Sequence, residues 1–109
     1  MKLQNMTPQK STGQEVTIDL TAQNIAFDKK IITVAPSAKV KMTLHNQDNG
    51  VPHNFALYQD SSRKKTFFKG EIFEGVADKT YQFTAPSDPG DYYFQCDVHP
   101  RMNGTFQVK

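Results

Sequence analysis

Only one cysteine, Cys96, occurs in the 109 residues. The chain can therefore close no internal disulfide, and it cannot build a zinc ribbon or a thioredoxin-type C-x-x-C pair. Long apolar runs are missing too: none approaches the ~18–20 residues a helix needs to cross a bilayer. The N-terminus lacks a basic segment followed by an apolar stretch and a small-residue cleavage site. If the protein is exported, its signal or anchor lies outside this sequence. Leucine is scarce (Leu3, Leu20, Leu44, Leu57), and the apolar content leans on Phe, Tyr, Val and Ile, residues that suit pleated surfaces better than helices. A strong charge of either sign is absent as well. The net +2 is too weak to argue for nucleic acid, which calls for a concentrated basic face. The one basic cluster, Arg63-Lys64-Lys65 with Lys69 nearby, reads as a solvated loop, with a docking patch for an acidic partner as the second reading.

What is present is ordinary for one soluble globular domain: 37% hydrophobic and 22% charged residues, in a length that leaves no room for a second domain. Residues 1–14 are polar and aperiodic and read as a flexible leader; residues 15–109 form the domain. Period-two patterns dominate it. Val16, Ile18 and Leu20 alternate with Thr17, Asp19 and Thr21. Lys30 to Val34 is a second β-like run, ended by Pro36. Between Lys39 and Asn46, Val40, Met42 and Leu44 share one face, and Lys39, Lys41, Thr43 and His45 the other. After the turn signal Gln47-Asp48-Asn49-Gly50, the chain extends from Val51 to Tyr58 with Val51, His53, Phe55 and Leu57 on one side.

The polar stretch Asp60 to Lys69 has room for a short helical turn. Thr80 to Thr84 reads as a strand with Tyr81 and Phe83 together. Ser87-Asp88-Pro89-Gly90 suits a type II turn. Tyr92, Phe94 and Cys96 share a strand face, and Phe106 and Val108 face inward in the last strand. About seven to eight short strands separated by turns predict an all-β antiparallel sandwich or barrel.

Parity separates the histidines. His53 is in register with Val51, Phe55 and Leu57 and points to the apolar side, where an imidazole needs a partner. His45 is in register with polar residues and reads as a surface side chain. A lone cysteine is more often a buried small hydrophobe than a ligand or a nucleophile. Cys96, however, ends an inward-facing strand and opens the run Cys96-Asp97-Val98-His99-Pro100-Arg101-Met102. Ligands at every third residue of a tight loop can turn toward one centre. Two imidazoles (His53 and His99), one thiolate (Cys96) and one thioether (Met102) are the donor set of blue-copper electron-transfer sites. Zinc prefers Cys, His and carboxylate to a thioether.

Two segments carry a family resemblance. Val51-Pro52-His53-Asn54-Phe55 looks like the first-ligand motif of plastocyanins and amicyanins. Asp91 to Phe106, with Cys96, His99 and Met102, is similar to their C-terminal ligand loop, and in length to the amicyanin kind. The chain thus resembles a cupredoxin from about Val16 to Val108. The resemblance implies a Greek-key β-sandwich holding one mononuclear type 1 copper, with Cys96 as the strong thiolate ligand, His53 and His99 as equatorial imidazoles and Met102 as the long axial ligand. It also implies that Asn54 ties the two ligand loops together and offers its backbone N–H to the Cys96 sulfur. Val98 departs from the family pattern, standing where proline is common, and so offers a further N–H. Gln95 departs as well, where plastocyanins have a tyrosine.

The resulting expectation is an electron carrier cycling between Cu(I) and Cu(II), not an enzyme. It would be a monomer docking transiently with redox partner proteins near His99, periplasmic or otherwise extracytoplasmic, with room for a membrane anchor outside this sequence. A copper carrier or storage protein on the same fold is the alternative, and it would need labile, exposed ligands. A Cys-His nucleophile pair lacks an orienting Asp or Asn in sequence context and leaves Met102 without a role. Three histidines are too few for a multicopper oxidase or nitrite reductase, and one cysteine excludes a binuclear copper centre. A metal-free adhesion module on the same sandwich stays open, since fold does not fix function.

Overall fold

A computed structural model of the chain describes residues 14–109. The leader expected for residues 1–14 therefore lies, Gln14 apart, outside the described residues. Ten strands follow: β1 (Glu15–Ala22), β2 (Ile31–Val34), β3 (Lys39–Asn46), β4 (Pro52–His53), β5 (Ala56–Tyr58), β6 (Thr66–Lys69), β7 (Phe73–Glu74), β8 (Ala77–Thr84), β9 (Gly90–Gln95) and β10 (Asn103–Val108). They form a five-stranded sheet in the order β2-β10-β9-β5-β6, a three-stranded sheet β1-β3-β8 and a two-stranded ribbon β4-β7.

Alternation builds the sandwich. In β3, Val40, Met42 and Leu44 are buried while Lys39 and Lys41 are exposed, and in β10 Phe106 and Val108 are buried. Apolar faces of this kind must be covered, and two sheets packed face to face are the solution open to short strands. Between them lies an aromatic core. Phe55 has its ring centroid 5.4 Å from Phe94, 5.7 Å from Phe83 and 6.4 Å from Phe106. Centroid spacings of 4.5–7 Å are those at which aromatic pairs add to simple area burial. Gly104 leaves room for this packing, since a Cβ there would come 2.5 Å from Phe94.

Several expectations need correction. The strands number ten among the described residues instead of seven or eight: Thr66–Lys69 and Phe73–Glu74 are added, and the run read as one strand from Val51 to Tyr58 is split. Its first part, β4, pairs with β7, and its second, β5, pairs with β9 and β6. Every residue from His53 to Tyr58 is buried, so parity does not separate inside from outside there, although His53 does lie inside. The sandwich is mixed, not purely antiparallel: β1 runs parallel to β3 and β2 parallel to β10. No helical turn forms between Asp60 and Lys69. Asp60 accepts hydrogen bonds from Ser62 and Arg63 in a turn, and Thr66–Lys69 is a strand with Phe67 and Phe68 half-buried. At Gly90 φ is +155°, far from the ~+80° of a type II turn, and the residue already pairs with Val108.

Candidate metal centre

The ligand loop is built from turns. Cys96 follows directly on β9, and its carbonyl accepts the His99 N–H at 3.2 Å; the His99 carbonyl accepts the Met102 N–H at 2.8 Å. Each bond closes a four-residue turn, so the spacing of three between Cys96, His99 and Met102 is the span of one turn repeated. Pro100 occupies the second position of its turn, where its fixed φ is favoured. The Cys96 N–H then donates to the Met102 carbonyl at 2.9 Å, joining both ends of the loop where β10 begins. His53 arrives from the other motif, at the end of β4, held in register with Phe73.

These elements bring three donors together. Cys96 Sγ lies 3.6 Å from His53 Nδ1 and 3.9 Å from His99 Nδ1, and all three ligand atoms fall within 4.8 Å of one another. The imidazole centroids are 5.0 Å apart at 61°. An ion bound at roughly 2.0–2.3 Å to nitrogen and sulfur, with angles near trigonal or tetrahedral, holds its ligand atoms ~3.5–4 Å apart. The two sulfur–nitrogen separations match that requirement. His53 and Cys96 are fully buried and His99 is half-buried, so the site is closed on the protein side and reaches solvent at one imidazole. Met102 is buried in the adjoining core, within the loop that carries the other two donors. The donor set thus fits type 1 copper in its chemistry, and in the spacing of the sulfur from both imidazole nitrogens. Burial, with the nearby His53 and Arg101, pushes the His99 imidazole below its ordinary value, so the ring favours its neutral, metal-binding form.

The tie expected at Asn54 is present. Its Oδ1 accepts the Asp97 N–H at 2.8 Å, and its Nδ2 donates to Gly70 O at 2.9 Å and to Asp97 Oδ2 at 3.1 Å. Among the described residues, the sulfur's side-chain hydrogen-bonding neighbours are the two Nδ1 atoms. Val98 is an exposed apolar residue beside His99.

Sequence reasoning missed the carboxylates. Asp97 accepts from Tyr58 Oη at 2.7 Å and Gln95 Nε2 at 2.9 Å, and Tyr93 Oη donates on to Gln95; Lys69 Nζ stands 3.8 Å away. Burial works against ionisation of Asp97, but the donors from Gln95, Tyr58 and Asn54 outweigh it and hold the carboxyl below its usual range. Burial and the same Asp97 push the Tyr58 phenol up to about 12. Asp48 Oδ2 takes a 2.8 Å bond with His53 Nε2. Position beside Cys96 was the one available signal for Asp97. Asp48 had none, since its Gln-Asp-Asn-Gly setting is accounted for by turn chemistry alone.

His45 lies outside the centre, on the outer face of β1-β3-β8, bonded through Nδ1 to Asp78 at 2.9 Å and through Nε2 to Asp19 at 3.0 Å. Arg63, Lys64 and Lys65 are exposed in the β5–β6 connection, at the end of that hairpin away from the Ala56–Lys69 pair that adjoins Gln95.

Relatives were found by family and by structure. Residues 3–108 match the cupredoxin-like domain, whereas no curated protein sequence matches the chain. Among solved structures the chain is similar to auracyanin A, a "blue" copper protein from Chloroflexus aurantiacus, at 21% identity and a TM-score of 0.79, over 88% of this chain and 100% of that one. It is similar to a reduced auracyanin from Roseiflexus castenholzii at 23% identity and 0.75, over 89% and 99%. Amicyanin from Paracoccus versutus follows at 18% identity and 0.61, over 85% and 81%. The likeness in structure is one of fold, and the family match extends over nearly the whole sequence. The chain belongs to the cupredoxin-like family.

Proposed function

We propose that this protein is a one-electron carrier holding a single type 1 copper through His53, Cys96, His99 and Met102. The observation that carries the reading is the convergence of one sulfur and two imidazole nitrogens within 4.8 Å, from two motifs far apart in sequence. Copper would supply the one-electron couple, Cu(I) to Cu(II). The chain's own contribution is to bind and to hold still. His53 and Cys96 exclude water from their side of the site, and the Asn54–Asp97 bonds lock one ligand loop to the other. Ligands held this firmly move little between oxidation states. That firmness also argues against a carrier or storage role, which needs ligands that release metal easily.

His99 is the ligand at the solvent side, so it is the edge through which an electron would leave. Around it the exposed Val98 and Pro100 offer a small apolar surface. Ile72 and Val76, also exposed, flank β7 beside the His53 strand. A surface of that size suits a weak, transient redox partner. We place the monomeric protein outside the cytoplasm, in keeping with the cupredoxin-like family. Among the described residues no helix is long and apolar enough to cross a membrane.

Copper(II) added to the metal-free protein should give one intensely coloured thiolate–copper centre per chain, bleached by ascorbate and restored by ferricyanide. Colourless binding, or colour that survives Cys96→Ser, would reject the proposal.

A further inference from the structure

The loop that precedes the first ligand motif contains a carboxylate with three hydrogen bonds, one of them to a candidate ligand. Asp48 Oδ2 bonds His53 Nε2 at 2.8 Å and accepts the Ile25 N–H at 3.0 Å; Oδ1 accepts the Asn24 N–H at 2.7 Å. Its own N–H donates to Asn46 Oδ1 at 3.0 Å, and the Asn46 amide nitrogen donates to Val51 O and Phe73 O. Asn46 is fully buried, and the Asp48 side chain is only 12% exposed. Gly75 packs against both residues so closely that a Cβ there would collide with them. The carboxylate is therefore fixed from several sides.

The two amides it collects are in an unusual conformation. Asn24 and Ile25 both lie in the left-handed region, at φ 56° and 54°. Asparagine tolerates that region, but a β-branched residue there is an outlier. Such conformations cost ~1–3 kcal/mol each and persist only where the surroundings over-determine them. Here the over-determining group is identifiable, because both N–H groups of the turn end on Asp48.

A neutral imidazole has one N–H and one bare nitrogen. A carboxylate only accepts, so the ring nitrogen facing Asp48 must carry the proton. That leaves Nδ1, the atom 3.6 Å from Cys96 Sγ, with its lone pair free. Carboxylates behind a ligating imidazole also raise its basicity and fix its orientation, and a more basic ligand favours the more highly charged metal.

We propose that Asp48 is a positioning residue that sets the His53 tautomer and lowers the reduction potential of the centre, clamped in place by the strained Asn24–Ile25 turn. The effect on potential rests on the copper reading above; the tautomer does not.

The first test is nitrogen NMR of the metal-free protein labelled at histidine. His53 should show a protonated Nε2 and a bare Nδ1, and Asp48→Ala should shift the ring toward the Nδ1–H form. A wild-type His53 protonated at Nδ1, or a tautomer indifferent to Asp48→Ala, overturns the positioning role. It does so whether or not the protein forms a blue site. The second test is the potential of the copper-loaded protein. Asp48→Asn keeps an oxygen acceptor but removes the charge, and it should raise the potential while the colour persists; an unchanged or lower potential overturns the tuning. Replacing Asn24 and Ile25 together by glycine relieves the strain and keeps both N–H donors, so the potential should stay at the wild-type value. A shift there as large as that of Asp48→Asn would assign the tuning to the turn and overturn the role of the charge. A wild-type protein without a blue band would reject the copper reading and leave the tautomer result standing.

Discussion

His45 and His53 differ by eight positions and belong to different chemistry. His45 bridges two exposed carboxylates on the outer sheet face; His53 is buried against Cys96. His45→Gln should therefore leave copper stoichiometry and the visible spectrum unchanged, and His53→Gln should abolish or strongly perturb the blue centre, as read by titration in the visible range. Met102 is the softer test. A thioether is a weak axial donor whose identity tunes blue-copper potentials. Met102→Leu, similar in volume and so tolerated by the core, should keep the colour and raise the potential measured by voltammetry. An unchanged potential would remove Met102 from the ligand set.

At the scale of elements, the site depends on how three segments are tied together. β5 supplies Tyr58, β9 supplies Gln95, and the ligand loop supplies Asp97, which accepts from both. Tyr58→Phe removes one donor and leaves Asp97 less well satisfied. A hydrogen bond to a charged group is worth about 1.5–3 kcal/mol, and the loss should appear at that size in urea unfolding of the metal-free protein. A change below about 0.5 kcal/mol, the usual limit for a surface substitution away from such features, would mean that water replaces the phenol without cost. Legibility in the sequence also varies by element. Strands with one buried face, such as β3 and β10, were plain, because alternation is the direct imprint of half-burial. The Val51–Tyr58 run was not, because a segment buried on both faces has no alternation to read. β6 and β7 are edge or ribbon strands of two to four residues, too short to show a clear alternation.

For the whole molecule, pH acts through groups whose ionisation is altered by folding. Hydrogen bonds donated to the Asp19 and then the Asp78 carboxylate hold the His45 imidazole above its ordinary value. A raised histidine contributes stability that is fully present below its unfolded pKa of ~6.5 and is lost as pH rises through the higher folded value. Asp97 and Asp48 are held below the usual carboxylate range, each against its own burial, by the donors around them. Their contribution is present above ~3.9 and disappears as pH falls through the folded values. The metal-free protein should thus lose Tm steeply in acid. His45→Gln should cost Tm mainly at mildly acidic pH, with the difference from wild type fading toward alkaline pH. A Tm difference that is flat across that range would mean that the Asp19–His45–Asp78 bridge is not charged.

The donor chemistry was determined by the sequence alone. One cysteine, a His and a Met at turn spacing after it, and a second His in an apolar stretch restrict the possibilities because ligand type is a property of residues, not of arrangement. The β class was determined in the same way, by composition and period. Tertiary structure decided which groups stand behind the ligands. That Asp48 reaches His53 while bonding the Asn24–Ile25 turn, and that Tyr58 reaches Asp97 across 39 residues, follows from sheet order and register. Contacts between side chains far apart in the chain depend on which strands become neighbours, and no local pattern encodes that.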